Sequence, residues 1–162
     1  KNLLSAYAEV PRDLITLELT ESAPIENLQS ASSVIEVCRE MGLHITLDDY
    51  GTGFSTRAWL EGLPVHGVKL DRSFISSAKS ENCDFSFVNE VVELARKGDL
   101  GVVVEGVETE EQLETALSLG CTAIQGFYFS QPLMEQDLRS WMQGFDIRQS
   151  ANSSQEVFEY AL

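Results

Sequence analysis

An α/β fold built on a parallel sheet is what this sequence predicts, and three observations predict it. Five short apolar runs alternate with helical segments along the chain. Glycine follows the helical segments that precede the second, fourth and fifth runs, at Gly42, Gly98 and Gly120, where a helix end favours a left-handed residue. The fourth run, 100–105, is apolar at almost every position, as a strand buried on both faces is. Such a repeat implies right-handed crossovers. Residue pattern alone fits an open doubly wound sheet and a barrel equally. No dinucleotide fingerprint follows the first strand, which argues against a nucleotide cofactor of that kind.

The elements follow in order. Residues 1–9 have Leu3, Leu4 and Tyr7 at helical spacing, and Pro11 breaks that helix. Residues 14–19 read as the first strand, with 20–24 a loop. Residues 27–41 are a helix whose apolar face carries Leu28, Ala31, Ile35 and Cys38. The second strand, 43–48, ends on two adjacent carboxylates and a Gly-Thr-Gly turn; a short helix spans 55–61. Residues 67–71 form the third strand, and 73–77 one helical turn. Residues 84–97 are a clear helix with Phe87, Val88, Val91 and Val92 on its apolar face. After the fourth strand, Thr109 and Gln112 form a capping box for a helix to Leu119. Residues 122–125 are a fifth short strand, and 134–142 a last helix. The polar stretch 144–162 reads as tail or linker, leaving 1–143 as the domain.

A length of 162 residues with 43% hydrophobic content suits one soluble domain with its own core. Net charge is −15, which makes the chain a poor candidate for wrapping a DNA or RNA backbone. The acidity does not exclude an anionic substrate, since carboxylates can hold divalent metals that then meet phosphate. Cys38, Cys83 and Cys121 are odd in number, widely spaced and without a CxxC pattern. They point to free thiols in a reducing, cytoplasmic compartment and not to a zinc site. No apolar run has the length of a membrane span.

Chemistry-bearing residues collect at the C-terminal ends of the strands. The first strand brings Glu18, with Glu21 in its loop; the second brings Asp48 and Asp49; the third Lys69; the fourth Glu105; the fifth Gln125. In a parallel sheet these ends share one side, where α/β proteins place their sites. A carboxylate inside an apolar run, such as Glu18 or Glu105, is expensive unless a cation meets it. Adjacent aspartates repel each other unless a cation or proton intervenes. Hard oxygen donors of this kind suit Mg²⁺ or Mn²⁺. Two such ions bridged by Asp48 would be a device for phosphodiester hydrolysis, with Lys69 near the attacking water. Plainer readings stand beside these: a solvated turn for Asp48–Asp49, a simple ion pair for Lys69, a backbone-bonded amide for Gln125. Asp71 and Glu108 read as loop or cap groups. His44 and His66 stand apart in the sequence, and neither reads as a ligand.

Five blocks carry a resemblance: LELTES at 17–22, DDYGTGFS at 48–55, KLDRSF at 69–74, VVEGVET at 103–109 and QGFYFSQPL at 125–133. In this order they resemble the EAL-domain cyclic di-GMP phosphodiesterases. The resemblance implies a TIM-like (β/α) barrel, here lacking its first strands. It implies hydrolysis of cyclic di-GMP to linear pGpG with Mg²⁺ or Mn²⁺. It makes Glu18, Asp48, Asp49 and Glu105 metal-site residues, Lys69 the contact of the catalytic water, and Gln125 the completing amide. It also makes Glu21 the anchor of the loop after Asp49, a loop near the family's homodimer interface. The departures are specific. The Glu-Ala-Leu signature and the metal-binding Asn are not among these residues, His66 stands where Asp is common, and Tyr50 and Phe54 exchange the usual order of aromatics. The expectation is an isolated chain that is inactive or weakly stable, within an intact enzyme. Two alternatives compete: a module that binds cyclic di-GMP without cleaving it, and a protein-interaction domain that binds no nucleotide.

Overall fold

A computed structural model describes residues 2–20, 25, 27–53, 57–76 and 84–144, with residues 2 and 3 as backbone only. The expectations for Glu21, Phe54, Ser55, Ser77, Cys83 and the tail after Gly144 fall outside these residues.

Helix α1 (Asn2–Ala6) and a 3-10 turn (Arg12–Leu14) precede the sheet. Strand β1 (Thr16–Thr20) leads to α2 (Leu28–Glu40), β2 (His44–Tyr50) and α3 (Arg57–Gly62). Then come β3 (Gly67–Leu70), α4 (Ser73–Ser76), α5 (Ser86–Gly98), β4 (Gly101–Val104), α6 (Glu110–Ser118), β5 (Ala123–Ile124) and α7 (Glu135–Gly144). All pairings are parallel, and spatial order equals chain order, β1-β2-β3-β4-β5. A doubly wound sheet reverses direction at a switch point. This one never does, as in a barrel wall. The chain is therefore an incomplete TIM-like barrel.

Alternate strand residues divide between two faces. Ile45, Leu47, Val68, Leu70, Val102, Val104 and Ile124 join Ile35, Leu60, Ile75, Val88, Val91, Ala95, Leu113 and Ala116 from the helices in one core. Val68 and Leu70 are fully buried. The opposite parity carries Glu18, Thr46, Asp48, Lys69, Val103 and Ala123, aligned by Glu18↔Thr46 and Lys69↔Val103↔Ala123. Glu105 and Gln125 continue that row, two residues beyond Val103 and Ala123. The helices thus pack one side of the wall, and the polar row lines the other.

Several boundaries depart from the sequence reading: the first helix ends at Ala6 instead of near residue 9, α5 starts at Ser86, and β4 and β5 are shorter than read. Residues 12–14 form a 3-10 turn, so β1 starts at Thr16, past Leu14. Helix α5 runs through Gly98, and Asp99 takes the left-handed cap position at φ 56°. Strand β2 runs past Asp48 to Tyr50. Its register explains the extension: Leu47 pairs with Val68 and Tyr50 with Leu70, so Asp48 and Asp49 together oppose Lys69. That two-for-one count is a bulge, and Asp49 adopts φ 52° within it. The bulge returns Tyr50 to the buried face. The capping box of α6 forms as expected, with Gln112 N donating to Thr109 Oγ1 and Thr109 N to Gln112 Oε1.

Candidate metal centre

Lys69 is the hub of the polar row. Strand β3 lies between β2 and β4, so a side chain on its inner face has acidic neighbours on both sides. Its Nζ donates to Glu18 Oε1 at 2.7 Å, lies 3.2 Å from Asp48 Oδ1, and contacts Glu105 Oε1. Lys69 is buried. Burial alone would lower its pKa, but the bonds from Glu105 and Glu18, with Asp48, raise it well above the ordinary lysine value. With these three carboxylates as its partners, Lys69 is held as an ammonium at neutral pH.

The carboxylates outnumber it. Oxygens of Asp48, Asp49 and Glu105 lie within 4.8 Å of one another. With Glu18, four acids surround one ammonium, which leaves three negative charges uncompensated when all are ionised. Asp48 Oδ1 is buried, and among the described residues no aligned hydrogen bond reaches it beyond the 3.2 Å ion pair. A buried carboxylate oxygen met only by one long ion pair is under-satisfied, which costs free energy. A divalent cation resolves both conditions, because it supplies charge and takes oxygen ligands without needing a donor hydrogen. Asp48, Asp49 and Glu105 fit such an ion by donor type and spacing. Glu18 lies outside that group of three and shares only their lysine, through a half-exposed side chain.

The structure thus brings Glu18, Asp48, Asp49, Lys69 and Glu105 together. Gln125 stands at the end of β5, where its backbone bonds to Val104 O and Val107 N. Its side chain is exposed and makes no hydrogen bond to the cluster; it lines a cleft of about 280 Å³ with Phe127, Phe129, Leu133, Leu138 and Trp141. Glu18 meets its cation as expected but is not buried, because β1 is an edge strand. Asp71 caps α4 by accepting from Ser73 N. Cys121 is buried in the core, which pushes its thiol up to about 12 and leaves it unreactive.

Two features were not found from sequence. His44 and His66 are not isolated: their rings stack at 4.5 Å, at the opposite ends of β2 and β3 from the acids. Ile45 N donates to His66 Nδ1, so that nitrogen is unavailable to a metal. Their pairing depends on the β2–β3 register, which sequence spacing does not show. Thr46, two residues before Asp48 on the same face, buries a hydroxyl with no hydrogen-bond partner among the described residues. The alternation of β2 was the signal that could have placed it there.

Comparison with known proteins agrees with this arrangement. The EAL domain family model matches residues 1–132. The chain is 37% identical over 138 residues to the bifunctional diguanylate cyclase/cyclic di-GMP phosphodiesterase MucR of Pseudomonas aeruginosa, covering 85% of this chain and 20% of MucR. It is 37% identical over 119 residues to the cyclic di-GMP phosphodiesterase PdeL of Escherichia coli, covering 74% of this chain and 33% of PdeL. The chain thus spans a third or less of these relatives. The solved MucR phosphodiesterase in complex with c-di-GMP superposes with a TM-score of 0.76 at 35% identity, over 85% of this chain and 55% of that one. The manganese/cy-diGMP complex of Klebsiella pneumoniae BlrP1 gives 0.71 at 29%, over 81% and 33%. With its strand order, its row of acids about one lysine and a match across most of its length, the chain belongs to the EAL domain family.

Proposed function

We propose that the intact protein hydrolyses one phosphodiester bond of cyclic di-GMP, giving linear pGpG, with Mg²⁺ or Mn²⁺ held by Asp48, Asp49, Glu105 and Glu18. The observation that carries this is the convergence of three carboxylates within 4.8 Å beside a protonated lysine, in a chain of this family. Bound divalent ions would polarise the phosphate and acidify the attacking water. The water oxygen attacks phosphorus, one P–O ester bond breaks, and the leaving ribose oxygen takes a proton from solvent. Glu105 takes the proton of the water. Lys69, held cationic by its carboxylates, orients that water and offsets charge on the phosphoryl oxygens. In this reading the Gln125 amide completes the site once its side chain turns from its cleft toward the polar row.

Glu21 anchors the loop after Asp49, and that loop contributes to a homodimer; sedimentation of the intact protein and its Glu21→Ala variant checks this, and an unchanged dimer would remove it. The isolated chain is expected to be inactive, because the Glu-Ala-Leu signature and its partner Asn are not among its residues.

The test is product analysis on the intact protein with cyclic di-GMP and Mn²⁺. Linear pGpG is expected, with kcat lowered about 100-fold or more in Lys69→Met. Tight binding without turnover would replace this reading with a receptor, and no binding would leave a protein-interaction domain.

A further inference from the structure

The metal-binding aspartates sit on a shelf of aromatic rings supplied by two other elements. Asp49 holds the left-handed region at φ 52°, followed by Gly51 at φ 94°. Aspartate tolerates that region better than most residues, and here the chain is also fixed on both sides of it. Upstream, the ladder fixes Leu47 opposite Val68. Downstream, the turn closes as Thr52 N and Thr52 Oγ1 both donate to Asp49 O, at 3.2 and 2.9 Å. Beneath it, the Tyr50 ring stacks on Phe87 of α5 at 6.1 Å, and Phe87 stacks on Phe74 of α4 at 4.8 Å.

Gly51 rests directly on these rings. A Cβ added there would lie 2.5 Å from Phe87 Cζ and 2.9 Å from Phe74 Cζ. The two residues after Asp49 are thus seated on α4 and α5, and neither can drop toward the core while Phe87 fills that space.

We propose that Phe87, backed by Phe74, is a positioning residue for the metal centre: it holds Gly51, and through it Asp49, in the geometry that keeps the Asp49 carboxylate beside Asp48 and Glu105. Phe87 touches neither ion nor substrate. Its removal opens room beneath Gly51, frees the turn, and lets Asp49 leave the left-handed region, which carries its carboxylate off the cluster. Phe87→Tyr fails for the opposite reason. A hydroxyl on Cζ enters space that the Gly51 backbone already borders.

The inference rests on the metal reading above, and Mn²⁺ binding to the intact protein, measured by electron spin resonance of the free ion, tests it. Val88→Ala is the control: Val88 is the next residue of α5, is buried in the core, and lies outside the shelf. Phe87→Ala is expected to weaken Mn²⁺ binding at least tenfold, and Phe87→Tyr to weaken it as well. Phe87→Met, which refills the space flexibly, is expected within about threefold of the parent. Val88→Ala should destabilise the fold yet bind as the parent does. If Phe87→Ala does not fold, Phe87→Leu carries the test with the same sign. Parent-like binding by Phe87→Ala or Phe87→Leu overturns the proposal, as does an equal loss in Val88→Ala. An intact parent protein that binds no Mn²⁺ removes the metal reading itself, and this inference with it.

Discussion

At the scale of single residues, Lys69 and His66 show how one strand, β3, carries two opposite electrostatic situations. Lys69 meets three carboxylates and is held cationic. His66 accepts from Ile45 N through Nδ1 and is held neutral: burial, then the neighbouring His44 and Arg39, lower its pKa from 6.5. The sign of the consequence is fixed by linkage. Above pH 6.5 folded and unfolded states are both neutral at His66, which then contributes nothing. Below 6.5 the unfolded chain takes up the proton first, so stability falls until the pH reaches the lower folded value. Thermal unfolding between pH 8 and pH 5 should therefore show a decline that His66→Gln reduces; parallel profiles for the two proteins would contradict it. The residues that gather about Lys69 were legible, because Asp-Asp at a strand end and Lys in a short apolar strand are chemically conspicuous. The left-handed Asp49 and the stacked histidines were not, because each depends on the β2–β3 register.

Among the elements, the start of α6 was read correctly, and the ends of β2 and α5 were not. The capping box of α6 needs only Thr109 and Gln112, three residues apart, so sequence suffices. Thr109→Ala should cost about 1 kcal/mol of stability; urea unfolding checks it, and a change near zero would show that tertiary packing alone holds the helix start. Strand β2 was read two residues short. The Gly-Thr-Gly turn after Asp49 suggested a loop, whereas pairing with β3 carries the strand through the bulge to Tyr50. Gly98 looked like the helix stop, yet Asp99 takes that role, a position aspartate tolerates better than most residues.

Across the whole molecule, helix-strand alternation showed the class, and the order β1-β2-β3-β4-β5 shows the wall of a barrel. That choice was not available from residue patterns, since doubly wound sheets and barrels share the same βα unit. The described wall ends at two open edges. At one, Leu14 and Leu17 are exposed beside β1; at the other, Phe127, Leu133 and Met134 are exposed beyond β5. Open edges and uncovered apolar side chains reduce the stability of an isolated sheet, and they agree with a chain that spans 55% of the solved MucR phosphodiesterase. The cluster nevertheless assembles within this wall, because its members come from four adjacent strands or their ends.

The central claim is that Asp48, Asp49 and Glu105 form a divalent-cation site beside Lys69. Mn²⁺ titration of the intact protein, parent against Asp48→Asn, isolates that site, because the change removes one negative charge while nearly preserving side-chain size. Saturable binding by the parent and at least a tenfold loss in Asp48→Asn are expected; equal binding by both refutes the site.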